Sequence, residues 1–202
     1  MRFRTFLTYL SLLPLSACTR SCKDYDNNEE FARAKLPPYS ETGAGTLGCV
    51  LGPQTWTVLG SFYQNRIGYP WVPNAVAVEG SYSVSPYIAA TGRMTGVRDS
   101  KTFYDMGISL VFRLSDTLGG LHLLGADTSR TYTGRFVEQM RATNFMTYDE
   151  YRSRNRHPVR LLVRKLSRQQ RTVSGTFAGM LYGGTTGHDS LAVADGRFDF
   201  TY

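Results

Sequence analysis

The sequence predicts an all-β chain, an antiparallel β-sandwich or partly closed β-barrel that forms a single domain behind a flexible tether. Three observations carry this expectation. Thirteen tyrosines and eleven phenylalanines stand beside 20 glycines in 202 residues, which pairs strand formers with turn formers rather than with helix formers. No long stretch repeats its apolar residues at helical spacing, whereas the C-terminal part alternates apolar and polar positions with a period of two. Turn-forming clusters, among them Gly52-Pro53-Gln54, Ser167 to Arg171 and Gly183 to His188, divide the chain at short intervals.

The first 17 residues stand apart from this pattern. Arg2 and Arg4 precede an apolar run from Phe6 to Leu15, the layout of a secretory signal and well short of the ~20 apolar residues that span a bilayer. The run ends in Leu15-Ser16-Ala17-Cys18, which resembles the lipobox of bacterial lipoproteins. That resemblance implies removal of residues 1–17, a diacylglycerol on the Cys18 thiol and an acylated new amino terminus. It also implies a lipid-anchored place in the outer membrane, facing either the periplasm or the cell surface. The alternative is an ordinary cleaved signal with an incidental Cys18. The remainder of the chain divides into the cysteine, mobile tether and extended lead-in of residues 18–47, and a β domain over residues 48–202.

The whole chain carries 23 basic and 16 acidic residues, a net charge of +7. Without Arg2 and Arg4 the balance is 21 against 16, or +5. With Cys18 lipidated, only Cys22 and Cys49 remain for pairing. Cys22 lies in polar surroundings and Cys49 opens an apolar segment, so Cys49 reads as a buried free thiol, with a Cys22–Cys49 disulfide as the alternative.

Lys23 to Glu30 is polar and mostly acidic, with too little apolar surface to offset the entropy of ordering. An acidic run behind a lipidated cysteine also resembles the export signals of some Bacteroidota surface lipoproteins; a plain solvated linker is the alternative. Next come Leu36-Pro37-Pro38, Thr42-Gly43-Ala44, then Thr46, Gly48 and Cys49, with Trp56 shortly after. Two prolines enforce extended backbone here and the glycines exclude a helix. Near the other end stand Ser174-Gly175-Thr176-Phe177 and Asp195-Gly196-Arg197-Phe198-Asp199. Together these segments resemble the opening and the closing strands of a family of Bacteroidota lipoproteins known only as a domain of unknown function. The resemblance covers about forty residues, and it implies location and fold rather than an activity.

Along the β domain, Cys49-Val50-Leu51 and Thr55 to Leu59 flank Gly52-Pro53-Gln54 and read as a hairpin. Ala75 to Val78 and Ser81 to Ala90 read as strands around Gly80, with Tyr82, Val84 and Ile88 as inward candidates. Met106 to Leu114 is the expected central strand, its mixed apolar run suggesting burial on both faces. Thr147 and Glu150 have capping-box spacing, yet Asn144 to Tyr148 reads better as a strand followed by a loop. Val159, Leu161 and Val163 alternate with Arg160, Leu162 and Arg164, giving one apolar face. Ser167 to Arg171 is the turn, and Thr172 to Leu181 returns with Val173 and Phe177 inward. Asp195-Gly196 between two β runs predicts a hairpin, because both turn positions favour positive φ.

No catalytic pattern emerges. His122, His157 and His188 lie in separate segments without zinc-ligand spacing, and the consecutive His188-Asp189-Ser190 cannot form a relay built from separated segments. No metal or other cofactor is expected. The sharpest compositional feature is basic: Arg152, Arg154, Arg156, Arg160, Arg164, Lys165, Arg168 and Arg171 fall within twenty residues that hold no acid. Such a run attracts phosphate-rich polymers. A protein beyond the inner membrane does not meet nucleic acid as its normal partner, so the expected ligand is an anionic glycolipid or polysaccharide of the envelope. The bland alternative is a solvated face that keeps a strand edge from aggregating. Tyr69 and Trp71, in Tyr69-Pro70-Trp71-Val72-Pro73, are candidates for stacking on sugar rings. The resulting expectation is a non-catalytic outer-membrane lipoprotein, a binding or structural module, against the alternatives of a glycan-binding module or a glycan-active enzyme. An enzyme would be marked by a cleft with convergent carboxylates or a histidine beside one.

Overall fold

Alternating side chains need a sheet with one dry face, and the chain supplies one. The computed structural model describes residues 33–58, 77–81, 87–97, 103–114, 120–126, 138–184 and 188–202. Among them are eleven strands and no helix. They are β1 (Thr46–Leu51), β2 (Gln54–Thr57), β3 (Ala77–Ser81), β4 (Tyr87–Val97), β5 (Phe103–Arg113), β6 (Leu121–Leu124), β7 (Gln139–Asn144), β8 (Asp149–Arg152), β9 (Val159–Ser167), β10 (Thr172–Gly183) and β11 (Asp189–Thr201). Every pairing is antiparallel, in the order β2-β1-β11-β10-β8-β7-β5-β4-β3, with β9 on β10 and β6 on β9. Strand β10 branches, pairing with β9 from Thr172 to Ala178 and with β8 at Tyr182 and Gly183. The sheet is nearly closed into a barrel, the second of the two expected architectures.

The dry face is the inner one. Leu47, Cys49, Leu51, Ile108, Leu110, Phe112, Leu161, Phe198 and Phe200 are all essentially inaccessible, and they fall at every second position of their strands, as a period of two requires. Trp56 spans this interior: its indole N–H donates to the Met106 carbonyl at 3.0 Å, which satisfies the one polar group the ring brings inside. Trp56 and Val58 meet β4 across the seam, where a Cβ on Gly92 would collide with the Val58 side chain. Cys49, opposite Trp56, is buried and free, and burial pushes its thiol far above the ordinary range.

Several expected elements appear as read: the hairpin turning at Gly52 between β1 and β2, the inward Ile88, the alternation of β9, and the turn from β9 into β10. Others differ. Asp195-Gly196 is no hairpin. Strand β11 runs through it unbroken, and the register on β10 slips there between Phe177 and Gly179, so the positive φ of Asp195 serves a β-bulge instead of a turn. Of Asn144 to Tyr148 only Asn144 lies in a strand, as the last residue of β7, and the other four form a turn. Asn144 Oδ1 accepts the Met146 N–H at 2.9 Å, an Asx turn, and the chain reverses between β7 and β8. Gly80 lies within β3 instead of separating two strands, and Tyr82 and Val84 fall outside the described residues. Strand β5 is buried on one face only, since Met106, Ile108, Leu110 and Phe112 point inward while Ser109 and Val111 are half-exposed. Strand β6 is absent from the expectation.

Candidate functional site

The basic run builds one long stripe in which only some of the charges are free. From Val159 to Ser167 it forms β9, whose inward Val159, Leu161 and Val163 force Arg160, Leu162 and Arg164 outward. The strand spreads the charges over roughly 26 Å, with Arg154 and Arg156 in the turn before it and Arg168 and Arg171 in the turn after it. Arg152, on β8, is tied to Glu150, which also binds Arg141. Both contacts hold the Glu150 carboxyl below its usual range, with the Arg152 hydrogen bond the largest cause. Lys165 is half-buried and donates to the Glu41 carbonyl at 2.8 Å. The Arg154 guanidinium lies over the Tyr182 ring, 5.8 Å from its centroid. Arg156, Arg160 and Arg164 are exposed, and no described residue forms an ion pair or hydrogen bond with their guanidinium groups.

Beside Arg160 and Arg164 the surface is apolar. Strand β6 buries His122 and Leu124 and turns Leu121 and Leu123 outward, 52% and 40% exposed. Register sets Leu123 opposite Arg160 and Leu121 opposite Leu162. The outer face of β6 and β9 is therefore an apolar floor edged by two exposed guanidinium groups, of which Arg164 also lies close enough to the Tyr39 hydroxyl for its charge to oppose the burial that pushes that group up. The sequence shows the arginines and hides the leucines, because three leucines and a histidine in a four-residue strand carry no recognisable period; the flanking Gly119-Gly120 and Gly125 were its only signal.

A second constellation joins the two ends of the chain. The Asp199 carboxylate, on the outer face of β11, accepts the Ser40 hydroxyl at 2.6 Å and the backbone N–H groups of Thr42, Gly43 and Ala44 at 3.0, 2.8 and 3.1 Å. Consecutive N–H groups converging on one anion form a nest, and Gly43 reaches the required φ of 78° without a Cβ, which would strike Thr201 and Thr172. Burial pushes the Asp199 carboxyl up, but these hydrogen bonds outweigh it and hold the group below its usual range. Arg197 donates to the Pro37 carbonyl at 3.1 Å, and Pro37 packs on Gly48. Residues 37–45 thus form a strap over the outer ends of β10 and β11. Inside, Gly175 faces Phe198 and Gly196 faces Phe177 across the same pair of strands, each ring filling the space its glycine leaves.

The third constellation is a histidine beside a carboxylate. His122 Nδ1 lies 2.9 Å from Glu138 Oε1, which also accepts the Arg113 N–H at 2.7 Å. Burial pushes the Glu138 carboxyl up, and the bonds from His122 and Arg113 more than reverse this. The imidazole is 8% exposed and sits edge-on to Phe112 at 5.5 Å, with Nε2 buried and without a partner among the described residues. His157 packs against Tyr182 and is not near His122 in sequence or strand pairing. Cys18, Tyr69 and Trp71 lie outside the described residues.

Comparison with known protein families, with curated proteins and with solved structures finds no match to this chain. Its function is therefore read from its own residues.

Proposed function

We propose that this chain is a lipid-anchored, non-catalytic module of the bacterial outer membrane that holds anionic glycolipid on the outer face of β6 and β9. The single observation that carries the binding reading is the pairing of exposed Leu121 and Leu123 with Arg160 and Arg164, which have no carboxylate partner among the described residues. Exposed leucines cost solubility and unpaired cations raise surface potential, so their coincidence on one flat face fits an amphiphile with an anionic head. The Leu15-Ser16-Ala17-Cys18 signal supports delivery to a membrane where such lipids lie. The likeness to the Bacteroidota lipoprotein family enters on the same footing: the segments that carry it are those that meet at Asp199, Pro37 and the glycine–phenylalanine pairs, which supports reading them as a folding signature and not a catalytic one.

The test is binding of lipid A by the full chain in neutral-detergent micelles. A basic side chain near an anionic surface contributes about 1 kcal/mol, so the double variant Arg160→Ala/Arg164→Ala should bind roughly thirtyfold more weakly. Arg152→Ala, whose charge Glu150 already offsets, should change binding little. Unchanged affinity in the double variant would sink the reading, and loss on Trp71→Ala alone would favour a neutral-glycan module instead.

A second reading, a glycan-active enzyme, is favoured by one observation, the His122–Glu138 pair. A general acid or base must come within hydrogen-bond reach of the substrate, and this imidazole is enclosed by the barrel wall. Turnover of any glycan that vanishes in His122→Asn, with the fold retained, would decide for the enzyme.

A further inference from the structure

The outer face of β9 has a spacing that a single charged headgroup does not use. Arg160 and Arg164 leave the same strand on the same side with Leu162 between them, and four residues of extended chain separate their Cα atoms by roughly 13 Å. Arg164 is also the extra residue of a bulge. Lys165 pairs with Ser174 and Val163 with Gly175, so Arg164 has no cross-strand neighbour on β10 to crowd its side chain. Lys165, next along, is drawn away to the strap, which leaves two separate guanidinium groups and not one cluster. A guanidinium suits bidentate contact with one phosphate, and between the two lies Leu162, opposite Leu121.

We infer that this face binds an amphiphile phosphorylated at both ends of a two-sugar headgroup, one phosphate on Arg160 and the other on Arg164. The sugar rings lie over Leu162, and the acyl chains leave across Leu121 and Leu123. Two joined hexose rings with a phosphate on each outer position have a length of this order, whereas a phospholipid headgroup engages one arginine and leaves the other idle. The inference rests on the anionic-glycolipid reading above and adds to it the second phosphate.

The experiment compares bisphosphoryl with monophosphoryl lipid A, each in neutral-detergent micelles, on the full chain. The wild type should prefer the bisphosphoryl form by about fivefold, the upper range for one surface ion pair. In Arg160→Gln and in Arg164→Gln that preference should fall to near unity, and Arg160→Lys should restore only part of it. Both arginines are exposed, so the variants should keep the wild-type unfolding midpoint; the wild-type comparison of the two lipids needs no variant at all. Equal wild-type affinity for the two lipids, or a preference that survives in both Gln variants, overturns the two-phosphate inference while leaving the glycolipid reading standing. Failure of the wild type to bind either lipid overturns both.

Discussion

Among single residues, Asp199 does most to tie the strap to the barrel. Its carboxylate receives one hydroxyl and three backbone N–H groups, and bonds to a charged group are stronger than neutral ones. Asp199→Ala should therefore cost roughly 2–4 kcal/mol in urea unfolding at neutral pH. The pH dependence has a definite sign. The folded carboxyl titrates below its unfolded value, so its contribution is fully present above about pH 4, the ordinary aspartate range, and is lost as pH falls through the lower folded value. Asp199→Asn should lack this component of acid destabilisation. Gly175 makes a steric prediction. A Cβ there would strike the Leu162 carbonyl and the Phe198 ring, so Gly175→Ala should lower stability by about 1–3 kcal/mol, read from the denaturant midpoint. Cys49 makes a chemical one: buried and with its thiol pushed up, it should resist alkylation in the folded chain and react once urea unfolds it. Residue-scale features of this kind were partly legible in the sequence. The glycines and Asp199 stand in recognisable segments, but their meeting depends on contacts between residues more than 150 apart, which no local pattern encodes.

Among the elements, the alternation of β9 was legible because one strand carried both a complete apolar face and a largely polar one. Strand β6 was not, since its two outward residues are leucines. Asp195-Gly196 and Asn144 to Tyr148 show why local signals mislead. Asp-Gly supplies positive φ, and a bulge inside β11 uses that conformation as readily as a hairpin does. Phe145, Met146 and Tyr148 look like strand residues, yet they sit on an exposed turn fixed by the Asn144 side chain, with Phe145 under the Arg93 guanidinium at 4.1 Å. The β6 leucines carry their own prediction. Leu121→Ser/Leu123→Ser should leave stability within about 0.5 kcal/mol, because both side chains already face water, and should weaken lipid A binding in micelles. A fall in stability without a change in binding would assign the leucines to the fold instead.

For the molecule as a whole, the fold class followed from composition and period, whereas closure of the sheet followed from Trp56 reaching Met106 and from the branching of β10, features of register that composition does not carry. The strap first docks on β1 and β11, where Arg197 donates to the Pro37 carbonyl and Pro37 packs on Gly48, and then reaches β9 where Lys165 donates to the Glu41 carbonyl. Fatty-acid labelling of cells should mark the wild type and not Cys18→Ala; equal incorporation would remove the anchor. The binding claim is tested most directly by a salt titration of lipid A binding to the full chain in neutral-detergent micelles. Screening shortens the reach of exposed charges from about 10 Å at 0.1 M to about 3 Å at 1 M salt. The wild type should lose affinity steeply across that range, while Arg160→Ala/Arg164→Ala binds weakly with little salt dependence. A wild type whose affinity ignores salt, or a double variant with the wild-type slope, would contradict binding through these two arginines.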